Sequence, residues 1–382
     1  MIYFDSASST KPDPEVLHEM CEFASDYYAI PSSIFSHTLG LQVADKIQEA
    51  RDFIGNKLGV KGSEIIFTSS GTEANNLAIK GYVFANRNKG KHIITSKIEH
   101  ISVLETVKKL LRDGYEISYI GVDKDGFIDI DELKKSIRDD TILVTIQLAN
   151  HEVGTVQNIE EIAKISKEKG ITVHVDGAIA IPYINLKLDN IDMLTISPHK
   201  FYGPKGVGIL YVKEGLKLEK ILDGGYNEFN LRAGHENTPA IVGAKKAFEI
   251  WDSSISEYLR NLKMYLYDKL LSEIPDVMLN GSLNKSLPHI LNVTFKYIEG
   301  ESIALRLDFE GISVTTGSAC YSRNLQASHV LLAMGKSHED SHGSIRFSLS
   351  KYNSKEEIDY TVSKLKEIVE DLRRISPLLG GE

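Results

Sequence analysis

Between residues 64 and 212, short apolar runs alternate with amphipathic helical stretches. EIIFT precedes EANNLAIKGYVFAN, HIITS precedes ISVLETVKKLLRDG, and EISYIGV follows. TILVTIQLA then precedes IEEIAKISKEKG, before ITVHV, DMLTIS and GVGILYV. Strand-length runs separated by helical periods predict a mostly parallel sheet with helices on both faces. The stretch TPAIVGAKKAFEIWDSSISEYLRNLKMYLYDKLLSEI then reads as helical, and the rhythm changes. HILNVTFKYI and SIRFSLS read as strands, with GESIALRLDFEG a helix between them. A final helix is predicted from Asn353, with Glu356 closing a capping box. Its Ile358, Val362, Leu365, Val369 and Leu372 share one stripe. The expected organisation is a large α/β domain over residues 15–249. A smaller α/β domain takes in 250–382 together with 1–14.

In a sheet of this kind ligands bind beyond the carboxyl ends of the strands. Thr72, Asp176 and Lys200 all fall there. Asp176 ends ITVHVDGA, and a buried carboxylate needs a cationic partner unless it simply caps a turn. TSSGTEANN reads as strand, small-residue turn and helix start. That turn aims N–H groups at an anion such as phosphate, although an ordinary capped helix looks the same. In SPHKFYGPKGVG a hydroxyl, an imidazole and an amine end an apolar run just before a glycine turn. Lys200 is there either as surface decoration or to hold a cofactor. Ser197 and His199 could add phosphate donors, and His100 in KIEHISV is a flat ring able to stack on a heteroaromatic. Each signal alone is weak. Together, in this order, they describe a pyridoxal phosphate site. Lys200 would form the Schiff base, Asp176 would protonate the pyridine nitrogen, and a helix start would take the phosphate.

Composition narrows the classes. A chain of 382 residues has room for two cores. A net charge of −9 without a basic run argues against a nucleic-acid surface and against anionic membranes. The apolar runs are strand-length, so no membrane span is expected, and MIYFDSASSTKPDPEV does not read as a signal peptide. Two cysteines give no disulfide framework, which fits a reducing cytoplasm. Cys21, on the helical HEMCEFASDYY, is expected to be a small buried hydrophobe. Cys320, in the small-residue polar loop TTGSACYSRNLQASHV, is expected to expose its thiol.

The motifs resemble those of cysteine desulfurases of the NifS/IscS type, within the fold-type I, class-V aminotransferase-like enzymes. The likeness runs from IYFDSASSTKPDPEV through TSSGTEANNLAIKG, EVGTVQ, HVDGA, SPHKFYGPKGVG and LRAGHENTPAIVG to TTGSACYS and SIRFSLS. It implies a fold-type I transferase with pyridoxal 5′-phosphate. Lys200 would be the Schiff-base lysine, Asp176 the pyridinium partner and His100 the stacking ring. Gly71, Thr72, Ser197 and His199 would hold the phosphate, and Arg346 the substrate carboxylate. Cys320 would take sulfur from L-cysteine as a persulfide, leaving L-alanine, and pass it to an iron–sulfur scaffold or another acceptor protein. Cys320 is also a candidate shared ligand to an iron–sulfur cluster; no other metal ligand is expected. A homodimer is implied, with LRAGHEN reaching a neighbouring subunit's phosphate.

Six positions depart from the family pattern. Ile30 and Phe35 stand for an Asn and a His, Phe229 for an Arg, and His235 for the Thr that reaches across subunits. His151 stands for an Asn and Ile179 for a Gln, both of which contact the cofactor's phenolic oxygen. His151 is therefore expected to be the one side-chain donor to that oxygen and, as an imidazole, to titrate near neutrality. His235 could still meet a phosphate. Rival readings are a selenocysteine or sulfinate lyase, a class-V transaminase, and a catalytically weakened partner in a sulfur-transfer assembly. A remote one is a zinc hydrolase built on HEDSH, His338 to His342, which would need a sustained helix.

Overall fold

The computed structural model describes residues 1–317 and 327–377. A short strand, β1 (Ile2–Tyr3), opens the chain and is followed by the helix Pro14–Asp26. That helix starts cleanly because Asp13 accepts the N–H of Glu15 and proline fills the first turn. The central sheet comprises β2 (Ile65–Thr68), β3 (His92–Ser96), β4 (Glu116–Ile120), β5 (Thr141–Gln147), β6 (Thr172–Asp176), β7 (Met193–Ile196) and β8 (Gly208–Val212). The strand order is β2-β8-β7-β6-β5-β3-β4, with β8 antiparallel to both neighbours and the other pairs parallel. The inner strands β5, β6 and β7 are buried along their whole length, as parallel strands covered on both faces must be. Edge strand β4 instead turns Glu116 to solvent, which blunts the open edge.

Beyond residue 276 a second sheet forms from β9 (Val277–Asn280), β10 (Ile290–Phe295) and, after β11 (Ile312–Ser313), β12 (Ser344–Ser348). It is antiparallel, in the order β12-β10-β9, and β11 pairs in parallel with β1. Asp5 bridges to Ser348, and the N–H of Ala7 donates to Ser348 Oγ at 2.9 Å. The first residues are therefore tied to the C-terminal part.

Two helix boundaries differ from expectation. The helical stretch after residue 237 is two helices, Thr238–Glu249 and Ser254–Glu273, broken at Trp251–Asp252. The final helix is Lys355–Ile375, capped by Ser354 with Glu357 closing the box. Asn353 cannot serve as cap because its Oδ1 accepts from Ser350 N and Oγ, closing the preceding turn. The stripe Ile358, Val362, Leu365, Val369 and Leu372 is buried as predicted. Each such side chain contributes about 1.5–3 kcal/mol of burial.

One apolar cluster runs from Val175 and Ile196 through Phe201 to Leu291, Phe347 and Leu365. A second, with Ile66, Leu77, Val107, Leu143 and Leu210, covers the other face of the central sheet. Among the described residues no helix is long and apolar enough to cross a membrane.

Candidate active site

Beyond the carboxyl ends of β2, β3, β5, β6 and β7 the chain leaves a cavity of about 260 Å³. Gly71, Thr72, His100, His151, Asp176, Ile179, Ser197, His199 and Lys200, all expected at the site, line it. Backbone order explains most of this convergence. Asp176 is the last residue of β6, and Ser197 follows β7 directly. Pro198 then opens a tight helical turn, Pro198–Lys200, that swings the amine inward. Lys200 Nζ donates to Ala7 O at 2.6 Å and Ser8 O at 2.9 Å, so the N-terminal segment holds the amine. Tyr183 donates its hydroxyl to Lys200 O at 3.1 Å and steadies the turn from behind.

Asp176 is 5% exposed and accepts from two neutral donors, Asn75 Nδ2 at 2.8 Å and Ala178 N at 3.0 Å. A carboxylate in that position is complementary to a protonated ring nitrogen. His100 caps the helix Ile101–Arg112. Its Nδ1 accepts the N–H of Ser102 at 3.1 Å, which leaves the ring proton on Nε2. Burial holds the His100 imidazole below its ordinary value, with Asp176 pulling the other way. His199 is pushed down to about 3 by burial and then by the neighbouring Lys200 and Lys205. Both rings are neutral donors at physiological pH.

The phosphate end also has a shaped cradle. A Cβ on Gly71 would stand 3.3 Å from Ser197 Oγ and 3.6 Å from Ala178 Cβ, so glycine keeps the space for an anion. Ser70 caps the helix that begins there, its Oγ accepting from Glu73 N. Two buried polar atoms at the cavity, His151 Nδ1 and Asn75 Oδ1, have no hydrogen-bond partner among the described residues. A donor set of amine, carboxylate, hydroxyl and neutral imidazoles around such a cradle fits pyridoxal phosphate.

Five expectations need correction or placement. His151 does line the cavity, its ring 5.1 Å from that of His100, but it does not titrate near neutrality. Burial holds it well below the ordinary value, helped by His100, His329, Arg346 and Lys200. Arg346 stands behind the wall rather than on it. Its Nη1 donates to His151 O at 2.8 Å, and its Nη2 to Asp5 Oδ1 at 2.7 Å and Ser8 Oγ at 2.8 Å. His235 is exposed and borders a separate cavity with Ser69 and Arg232, so one chain alone does not bring it to Lys200. Cys21 is exposed, not buried, because its helix turns Val16 and Phe23 inward instead. Cys320 lies outside the described residues.

The HEDSH motif forms a single helical turn, His338–His342. Among the described residues the one group close enough to share an ion is Glu299, Glu301 and His342, which leaves His338 out. That is not the two-imidazole face a zinc protease needs.

Sequence reasoning missed Asn75, Ser102, Gln147 and Ala149 on the cavity wall. Asn75 was within reach, since it lies four residues after Gly71 and so on the same helix face. Glu99 was missed too. It is wholly buried, it accepts from Ser96 Oγ at 2.5 Å, and burial pushes its carboxyl up to about 8.

Comparison with known proteins agrees with this geometry. The family model described as aminotransferase class-V matches residues 2–361. The chain is similar to a cysteine desulfurase IscS from Dictyoglomus turgidum, with 47% identity over 98% of this chain and 96% of that protein. Among solved structures, a NifS-like protein superposes with a TM-score of 0.91 at 37% identity, covering 97% of this chain and all of that one. A structure described as SspA in complex with cysteine gives a TM-score of 0.82 at 34% identity, covering 93% of this chain and all of that one. With a family match spanning nearly its whole length, the chain belongs to the class-V aminotransferases, in their NifS/IscS cysteine desulfurase group.

Proposed function

We propose that the protein is a pyridoxal phosphate-dependent cysteine desulfurase that converts L-cysteine to L-alanine and leaves a persulfide on Cys320. The observation that carries this reading is the meeting of Lys200, Asp176, His100 and the Gly71 cradle in one cavity. Bound there, pyridoxal phosphate would act as an electron sink for negative charge developing on the substrate. Lys200 would hold it covalently and later move the proton at the substrate Cα. Asp176 would keep the ring nitrogen protonated, and His100 would cover the ring with its neutral face. Gly71, Thr72, Ser197 and His199 would grip the phosphate, and His151 would face the phenolic oxygen. Ile179, 5% exposed, offers that oxygen no hydrogen bond. Arg346 would orient the substrate carboxylate by exchanging its Asp5 contact for it. The Cys320 thiolate would attack the substrate sulfur, and the electron pair of the broken C–S bond would stay on carbon.

The same reading makes the chain a homodimer working in a reducing cytoplasm and passing sulfur to an iron–sulfur scaffold or similar acceptor. Its support is the apolar character of three departures. Phe35 is 95% exposed and Phe229 55%, and Ile30 is exposed beside Pro31, which shares a cleft with Phe229. Such a patch suits burial against a second copy, which would also bring His235 towards the neighbour's phosphate.

The test is direct. The purified protein should show a visible absorption band and, given L-cysteine and a dithiol such as dithiothreitol to reduce the persulfide, form alanine and sulfide in equal amounts. Cys320→Ser should keep the band and lose persulfide. No band, or transamination that survives Cys320→Ser, would overturn the proposal.

A further inference from the structure

We propose that Glu152 is a positioning residue that ties together Gly317 and Ser328, the two points between which the Cys320-bearing stretch runs. Its bearing on sulfur transfer rests on the function proposed above; the contacts themselves do not.

Glu152 follows β5 by five residues, and its backbone is clamped on both sides. Its N–H donates to Asn150 Oδ1 at 2.8 Å, and its carbonyl accepts Asn292 Nδ2 of β10 at 3.3 Å. The side chain is therefore aimed from a fixed base. Its carboxyl is buried, with the residue 2% exposed, and Oε2 accepts the hydroxyl of Ser328. The same Oε2 fills the space where a Cβ on Gly317 would have to go, and Ser328 Cβ would lie 3.5 Å from that Cβ. Gly317, Glu152 and Ser328 thus meet at one point.

Two further contacts give this point consequences. Ser328 Oγ also accepts Leu331 N at 3.2 Å and so caps the helix His329–Ala333, whose His329 Nε2 donates to Glu99 O at 3.0 Å. On the other side, Glu152 Oε1 lies 3.7 Å from Nε2 of His151, which lines the cavity. A single buried carboxyl therefore joins the cavity wall to both ends of the stretch. A buried carboxyl is costly without hydrogen bonds, so packing alone does not account for one here. Burial pushes it up to about 7, which lets it hold its proton or release it near neutrality while still accepting from Ser328.

The test uses the holoenzyme and iodoacetamide, with labelling of Cys320 and Cys21 read by mass spectrometry. Cys21 is exposed and serves as the internal standard. Loss of one such hydrogen bond should raise the Cys320-to-Cys21 labelling ratio roughly three- to tenfold in Glu152→Ala. Gly317→Ala should do the same by displacing the carboxyl. Glu152→Gln, whose amide oxygen still accepts from Ser328, should stay within about twofold of the wild type. The visible band should be unchanged in all three. If Glu152→Ala fails to fold, Gly317→Ala decides. An unchanged ratio in Gly317→Ala, or a Glu152→Gln that labels like Glu152→Ala, would overturn the assignment. Labelling needs no turnover, so a protein without desulfurase activity would refute the proposed function while leaving this contact testable.

Discussion

Asp176, Ser197, His199 and Lys200 reach the cavity within four residues of where β6 and β7 end, and sheet ladders place them. Arg346, Glu152 and Ser328 stand behind the wall that His151 lines, and their side chains meet partners far away in sequence. Arg346 is 341 residues from Asp5, and Ser328 is 176 from Glu152. The two walls should therefore answer mutation differently. Where backbone hydrogen bonds set the geometry, truncating a side chain removes chemistry and leaves the fold. Where side-chain pairs set it, the same change also moves or loosens the structure.

The largest effect should come from the strand-end wall. Lys200→Ala should lose the visible band and reduce alanine formation by roughly a thousandfold or more, since a covalent anchor and a proton carrier go together. Its denaturant midpoint should stay near the wild-type value. A variant that keeps a borohydride-reducible band would show that another amine holds the cofactor.

Arg346→Ala tests the other wall. The guanidinium is 7% exposed and paired with Asp5, and its loss strands a partly buried carboxylate along with Ser8 and His151 O. About 3 kcal/mol of destabilisation is expected, the lower end for a broken buried pair. The KM for L-cysteine should rise as well. Equal denaturant midpoints for Arg346→Ala and Lys200→Ala would erase the contrast between the walls.

How much of this could be read from the chain follows the same division. The central sheet and the strand-end residues were legible because a buried parallel strand writes a continuous apolar run, and ITVHVD and MLTIS end where the chemistry begins. The Asp5–Arg346 pair and the Ser328–Glu152 contact were not. No local pattern couples residues that far apart, and a polar loop reads the same whether or not its ends are pinned. Cys21 was misread because a helix with buried Val16 and Phe23 leaves the cysteine's own face open, a phase that one sulfur cannot reveal. The Asn353 cap failed by one residue because Asn and Ser both cap helices, and Asn353 was already spent on the turn from Ser350. The resemblance to a known family supplied roles that spacing alone left open.

A smaller effect separates ring chemistry from ring charge at the join of the two walls. His151→Ala should slow turnover modestly, by about tenfold, through loss of one hydrogen-bond donor. It should not change the pH response of the visible band between pH 6.5 and 8, because the buried imidazole is already neutral there. A titration in that range that vanishes in His151→Ala would mean the ring is charged in the holoenzyme.

Stability against pH sharpens the comparison last, because each wall buries groups of both kinds. His174 and His199 near the strand ends, and His151 and His289 towards the C-terminal part, are all depressed by burial, to about 4 for His174 and about 3 for His199 and His289. Below the ordinary histidine value of 6.5 the unfolded chain takes up protons that these folded rings refuse, so stability falls as pH drops. The carboxyls behave oppositely. Glu99 is raised to about 8 and Glu152 to about 7 from an ordinary 4.5, so the folded form keeps protons that the unfolded chain has released. Stability from that source is present below pH 4.5 and is lost as pH climbs to 7 and then 8. His92, His100 and His329 are lowered by burial too, so between pH 4.5 and 6.5 the depressed imidazoles outnumber the two raised carboxyls and stability rises with pH. Well above pH 6.5 the imidazoles are neutral in both states and only the carboxyl decline remains. The denaturant midpoint should therefore peak near neutrality. Glu99→Gln should remove the later part of the alkaline decline on the strand-end wall, and Glu152→Gln the earlier part on the other one. A midpoint that keeps rising from pH 6.5 to 8, or an alkaline decline that neither substitution reduces, would show that the two carboxyls are ionised in the folded protein.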